Sequence, residues 1–219
     1  MKVIIVGARY DAHGGVVLDN LLLNKKYEMV GFLDSNPELK GKKVLGFPVL
    51  GSSDDFLCIP KDVKGFIVAV GNNTIRLELS NKLEEFGLKP INVIHPNAVI
   101  SDSVKIGNGV FVGPNVIINR GCIIGDCVII NTSASIDHDS IIEDGAHIAP
   151  GVAIAGRVKI EKCAFIGIGT SIIEDITVGE YALVGAGAAV INDLPSNSKS
   201  VGVPAKPIGS GKDSKSKWV

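Results

Sequence analysis

Residues 135–147 read SIDHDSIIEDGAH. Two of the four histidines, His138 and His147, stand here among the carboxylates Asp137, Asp139, Glu143 and Asp144. A neutral imidazole takes up a proton near pH 7, because its ordinary pKa is about 6.5. An acid beside it fixes the ring tautomer and stabilises the imidazolium that forms. A second histidine, or a backbone N–H, can donate to a developing oxyanion. These types suit acyl transfer from a thioester to an amine or hydroxyl, where one proton must leave the nucleophile as it attacks. No serine or cysteine nucleophile is required, so direct transfer is expected.

The elements that hold these residues are legible as a repeat. Stepping by six from Ile94 to Val190 gives seventeen positions, and every one is Ile or Val. Two residues before each stands a small or branched residue, as in Val110, Cys122, Ala134, Ser140, Ala146 and Ala164. Gly often follows the aliphatic, as in IGNG, VGPN and IGIG, and is expected to permit the tight turn. Hexads of this kind make a parallel β-helix, with three short strands per coil and coils about 4.8 Å apart. A single coil cannot bury its own face, so stability comes from stacking.

The first ninety residues lack the repeat. VIIV (3–6), YEMVGFLD (27–34) and GFIVAVG (65–71) read as buried strands, VVLDNLLLN (16–24) and TIRLELSNKLEEFG (74–87) as helices, and VLGFPVLGS (44–52) as an extended hairpin. Alternating strands and helices imply a parallel sheet. The turn GARYDAHGG could offer backbone N–H groups to a phosphate, but its glycines at 7, 14 and 15 do not make GxGxxG. The unit is long enough for one mononucleotide half, with Asp34 at the end of strand two facing a ribose or base edge.

Composition excludes several classes. The formal net charge is −1, which gives nucleic acid no electrostatic footprint. No apolar run approaches the length of a membrane span, and MKVIIVG is too short for a secretory signal. Cys58, Cys122, Cys127 and Cys163 form no CxxC pair. They are expected to be reduced packing residues in the cytoplasm. Cys127 and Cys163 fall two coils apart, about 9–10 Å, too far for a disulfide.

Taken together, VIIVGARYDAHGG, VGFLDSNP, GFPVLGS and VAVGNNTIR, then hexads carrying DHDSIIEDGAHIAPGVAIAG and ending in VGAGAAVINDLPSNSKSVGVPAKPI, resemble the sialic-acid O-acetyltransferase-like sugar acyltransferases. The resemblance covers about residues 1–208. Its nearest branches are N-acetyltransferases of UDP-4-amino-4,6-dideoxy sugars and of perosamine. It implies a Rossmann-like α/β domain over 1–88 that binds a nucleotide-linked amino sugar. A left-handed β-helix over 92–208 would bind acetyl-CoA, and 209–219 would be a disordered tail. It further implies a homotrimer with sites between neighbouring prisms. His138 matches the family's base and Asp139 the acid that orients it, where Glu is more usual. His147, Asn131, Gly156, Gly167, Gly169, Gly185, Ala186 and Lys206 match acetyl-CoA contacts. Gly7, Ala8, His13, Gly14, Asp34 and Ser35 match the nucleotide-sugar loop, which is two residues longer here, with Ser35 where a second Asp is common.

Zinc-binding hexapeptide-repeat carbonic anhydrases carry HxxxxH on one coil. His138 and His147 are nine residues apart, and no metal is expected. The leading expectation is N-acetylation of a nucleotide-linked amino sugar. O-acetylation of a sugar hydroxyl, as with sialic acid, and a catalytically silent nucleotide-sugar-binding trimer stay open.

Overall fold

The computed structural model describes residues 1–9 and 13–210. The chain divides into two compact units, Met1–His95 and Pro96–Val219.

In the first unit, β1 (Lys2–Val6) lies between β2 (Glu28–Leu33) and β5 (Gly65–Val68), both parallel to it. The short β3 (Lys43–Val44) turns back antiparallel onto β4 (Phe47–Gly51), which extends the sheet beside β2. β6 (Lys89–Pro90) extends the other edge, giving the order β3-β4-β2-β1-β5-β6. The hairpin expected at 44–52 therefore exists, with Leu45 and Gly46 at positive φ supplying its turn. Helix α1 spans His13–Leu22, starting three residues before the expected 16. The two glycines that read as loop belong to its first turn. A Cβ on Gly14 would collide with the Gly7 carbonyl oxygen, so the missing side chain lets the helix seat against the end of β1. Helix α2 spans Asn73–Glu85, capped by the Asn72 side chain on the Ile75 N–H at 3.0 Å and ended by Gly87 at φ +97°.

The second unit is the repeat made solid. Each of its sixteen aliphatics closes a two-residue strand, from Val99–Ile100 to Ala189–Val190, and the seventeenth, Ile94, closes Val93–Ile94 at the end of the first unit. Strands pair in parallel with partners eighteen residues away: Phe111 with Ile129, Ile129 with His147, His147 with Phe165, Phe165 with Leu183. Three hexads thus make one coil of a parallel β-helix. From Val112 to Val190 the inward aliphatics are all buried, each worth about 1.5–3 kcal/mol. The small residues two places earlier form a second buried layer. Its polar members bond across coils: Ser140 Oγ donates to Ala155 O at 3.1 Å and accepts from the Val158 N–H at 3.1 Å. Cys122 sits in this layer, while Cys127 and Cys163 occupy corners; among the described residues none of these, nor Cys58, forms a disulfide.

The expected role of the glycine after each aliphatic needs correction. The residue at positive φ is the third after the aliphatic: Gly109, Asn115, Gly121, Cys127, Ser133, Asp139, Gly145, Gly151, Arg157, Cys163 and onward to Gly187. The glycines directly after the aliphatic do not turn the chain. They make room for the next coil, since a Cβ on Gly113 would lie 2.9 Å from Thr132 N and one on Gly125 2.7 Å from Asp144 N. Strand Lys206–Ser210 pairs antiparallel with Ser198–Val201, so Gly209 and Ser210 are ordered strand residues, contrary to the tail expected from 209. The remainder of that segment lies outside the described residues.

The two glycine positions should answer substitution differently. Gly151→Asn, at φ +68° with open space around its Cβ position, should change unfolding free energy by less than about 0.5 kcal/mol, because Asn tolerates this backbone. Gly125→Asn should cost roughly 1–3 kcal/mol by overpacking. Denaturant unfolding of the two variants checks the order.

Candidate functional site

His138 is fixed by the corner on which it stands. It is the second residue after inward Ile136, at the tip of the turn that follows strand Ser135–Ile136. Its backbone N–H donates to Asp137 Oδ1 at 2.8 Å, and its carbonyl accepts from the Arg157 N–H of the next coil at 2.9 Å. Asp139 holds the left-handed conformation at φ +58°, which Asp adopts more readily than most residues. That backbone brings Asp139 Oδ2 to 2.9 Å from His138 Nδ1, so the shorter acid reaches the imidazole. The ring packs close to Gly156: a Cβ there would be 2.7 Å from both Cε1 and Nε2. The imidazole is 41 % exposed and lines an open cavity of about 540 Å³ with Ser101, Asn119, Arg120, Asp137 and Asp139. The His138 N–H, and secondarily the Asn119 amide, hold the Asp137 carboxyl below its usual range.

His147 belongs to a different place. It is the outward residue of strand His147–Ile148, in a column with Ile129, Phe165 and Leu183 one coil apart. Its ring meets Phe165 edge-on, with centroids 4.9 Å apart, and Nε2 lies 3.5 Å from the Asn131 amide. These residues line a second cavity of about 570 Å³ with Gly167, Ile168, Gly185, Ala186, Lys199, Val201 and Ile208. The walls are mostly apolar. Of the expected acetyl-CoA residues, Asn131, His147, Gly167, Gly185 and Ala186 are gathered here. Gly169 stands at a corner with nothing within 4 Å of its Cβ position, Lys206 is exposed on the neighbouring strand, and Gly156 lies under His138. The two cavities share no lining residue.

In the first unit, the expected nucleotide-loop residues gather where β1 ends. The chain leaves β1 through α1 to β2 on one side and returns from β4 to β5 on the other side of β1, which makes this end the switch point at which open α/β sheets take ligands. Gly7, at φ +109°, donates to Leu33 O at 2.8 Å. Asp34 fixes the loop with both carboxylate oxygens, accepting from the Ala8 N–H at 2.6 Å and the Asn36 N–H at 2.8 Å. His13 opens α1 beside Gly14, while Ser35 is exposed. Residues 10–12 of the loop lie outside the described residues.

The sequence reading missed Arg76, 1 % exposed, which donates to the Val70 carbonyl at 2.9 Å and to Asn73 Oδ1 at 2.9 Å. Nothing in its helical spacing marked it. It also missed the apolar wall of Phe165 and Leu183. Eighteen-residue arithmetic from His147 would have found both.

Comparison with known proteins agrees with this architecture. Residues 2–83 match the PglD N-terminal domain model, and residues 89–120 match the bacterial transferase hexapeptide (six repeats) model. A histidine variant of perosamine N-acetyltransferase from Caulobacter crescentus, in complex with CoA and GDP-perosamine, superposes with a TM-score of 0.90. It is 36% identical over 96% of this chain and 98% of that one. The chain belongs to this family of hexapeptide-repeat N-acetyltransferases. The acetyltransferase domain of PglB from Neisseria gonorrhoeae, in complex with acetyl coenzyme A, gives a TM-score of 0.88 at 35% identity, over 94% and 98% of the two chains. GDP-perosamine N-acetyltransferase of Escherichia coli O157:H7 is 43% identical over 74 residues, 34% of this chain; the match spans about a third of that relative's length (33%). Family membership accounts for the pairing of an α/β unit with a hexapeptide β-helix. Among the described residues no helix is long and apolar enough to cross a membrane, and no group of three or more His, Cys, Asp or Glu is placed to hold a metal.

The state of His13 gives a measurable signature. Burial, and then the nearby Arg76 charge, lower its pKa from 6.5 to about 4. The unfolded chain takes up this proton below about 6.5 and the folded chain only near 4. Between those values the unfolded state binds more protons, so stability is full above 6.5 and falls as pH falls. The loss should reach roughly 3 kcal/mol near pH 4, at 1.36 kcal/mol per unit. His13→Gln should flatten this part of the profile, as read from denaturant midpoints between pH 7 and 4.5.

Proposed function

We propose that the chain transfers the acetyl group of acetyl-CoA to the amine of a nucleotide-linked amino sugar, and that it works as a homotrimer. The observation that carries the reading is the 2.9 Å pair of His138 Nδ1 and Asp139 Oδ2 beside an open polar cavity. Asp139 holds the proton on Nδ1, which leaves Nε2 with its lone pair. As the amine nitrogen attacks the thioester carbonyl, Nε2 takes the proton that the nitrogen gives up. The C–S bond then breaks, and the coenzyme A thiolate is reprotonated from the imidazolium. Asp139 stabilises the charged ring meanwhile.

Acetyl-CoA belongs in the apolar cavity beside His147. Gly167, Gly185 and Ala186 present small residues along its wall, and His147 or the Asn131 amide can donate to the thioester oxygen. The acceptor's nucleotide belongs at the end of β1, with Gly7, Ala8, His13, Gly14, Asp34 and Ser35. The UDP-linked acceptor suggested by sequence now stands beside GDP-perosamine, the molecule bound to one relative and named in another. Residues 1–88 as acceptor domain and 92–208 as acetyl-CoA domain follow from the same reading, as does a cytoplasmic setting.

The trimer is supported by the separation of the histidines. His138 and His147 open onto different cavities of one chain. A single site that uses both therefore takes one from each of two neighbouring copies. A three-sided prism repeated by threefold rotation presents His138 of each copy to the next copy's His147 face, and the ring closes.

Thiol release from acetyl-CoA with GDP-perosamine, and in parallel with UDP-linked amino sugars, tests the reaction. His138→Ala should lower kcat by roughly 10²–10⁴ with the fold intact. Near-normal turnover of that variant across pH 6–9 would remove the base assignment. Sedimentation should give three times the 22.9 kDa chain mass. Two variants, His138→Ala and His147→Ala, unfolded, mixed and refolded together should regain part of the activity that each lacks alone. No regain would place both histidines in one chain's site.

A further inference from the structure

Below Asp139 the corner repeats with a change of charge. Asp139, Arg157 and Asp175 occupy the same corner position on successive coils, with φ of +58°, +59° and +61°. Backbone bonds lock their register: Asp139 N–H to Arg120 O at 2.9 Å, Arg157 N–H to His138 O at 2.9 Å, Asp175 N–H to Gly156 O at 3.2 Å. Arg157 thus stands one coil, about 4.8 Å, from a carboxylate on either side. Its guanidinium is committed to one of them. Nε lies 2.7 Å from Asp175 Oδ1 and the second prong 2.7 Å from Asp175 Oδ2, a two-pronged fit with both carboxylate oxygens. Asp139 on the other side accepts from His138 instead.

We infer that Asp175 is a positioning residue for the His138–Asp139 pair: by holding the Arg157 guanidinium on the far coil, it keeps that cation off Asp139. This rests on His138 being the base. Without Asp175, the carboxylates left near Arg157 are Glu174 on the coil after and Asp139 on the coil before, and of the two only Asp139 shares its corner position. A two-pronged guanidinium pair is stronger than a single bond from a neutral imidazole. Arg157 would take Asp139, leave Nδ1 without its acceptor and set a positive charge beside the ring. The charged groups around His138 are Asp137 and Asp139 on its own corner, Arg120 on the coil before, and Arg157, Glu174 and Asp175 on the coils after. Of these, Asp175 dominates the environment of Arg157, and Glu174 and then Asp139 act on it through space.

The left-handed corner suggests variants that keep the fold. Glycine already fills this position at Gly121, Gly145, Gly151, Gly169 and Gly187, so Asp175→Gly and the double variant Arg157→Gly/Asp175→Gly should both assemble. The ring titration of His138 is read by NMR on histidine-labelled protein without substrate, its signal assigned by its loss in His138→Ala. Asp175→Gly should lower the His138 pKa by about one unit, since a nearby like charge disfavours imidazolium. It should also lower kcat roughly tenfold, as expected for a base that has lost its orienting acid's full effect. The double variant should return both quantities to near the parent values. An unchanged His138 pKa in Asp175→Gly, or a double variant that stays as impaired as the single one, would overturn the proposal. These outcomes are separate from failure of the base assignment, which is read from turnover of His138→Ala while the ring titration stands on its own.

Discussion

The eighteen-residue register of the β-helix is the constraint on which the rest of the molecule depends. Strand partners lie eighteen residues apart, and their backbone N–H groups donate to carbonyls seventeen residues on, as in Ile129 to Ala146, His147 to Ala164 and Phe165 to Ala182. Once that ladder is set, the type of each residue is governed by its place in the hexad. The aliphatic must point inward, the residue two before it must be small enough to share the interior, and the third residue after it must accept positive φ. The residue directly after it must tolerate a backbone passing close by. The outward strand position and the corner tip escape these demands, and the chemistry is placed there.

This explains how a rigid scaffold with a thin core can hold the proposed catalytic pair. His138 stands at a corner tip, so no core contact depends on its identity. Asp139 stands at the left-handed position, where the backbone itself swings its carboxylate back toward the preceding ring. Gly156 on the next coil leaves the space that the ring occupies. The pair is therefore ordered by three backbone features and needs no dense packing, which agrees with an imidazole left 41 % exposed.

Much of this was legible because a repeat states its geometry many times over. The seventeen aliphatics gave the coil, and the family resemblance gave His138 and Asp139 their proposed roles. Three things were not legible, each for a physical reason. Sequence spacing does not separate a glycine that turns the chain from one that lets a neighbouring coil pass, and the two were conflated. Helix α1 begins at His13 because Gly14 packs on Gly7, a tertiary contact that overrides the poor helix propensity of two glycines. Arg76 is buried by carbonyls gathered at the end of β5, and local periodicity carries no trace of that. Similarly, the expectation of a tail from residue 209 failed at its first two residues, because Lys206–Ser210 borrows an edge from Ser198–Val201.

The same corner also shows why identical geometry does not give identical chemistry. Asp102, Arg120, His138, Gly156 and Glu174 are the second residues after their aliphatics on successive coils of one edge. A histidine placed at 120 would have Gly121 as its neighbour at the left-handed position and no acid to fix its tautomer. A histidine at 156 would have Arg157 there, a cation that opposes imidazolium. At 138 the next residue is an acid, the coil below offers a glycine floor, and the cation one coil on is already held by Asp175. The β-helix supplies the position at every turn, and the residue types on the neighbouring coils decide which one of those positions can hold a base.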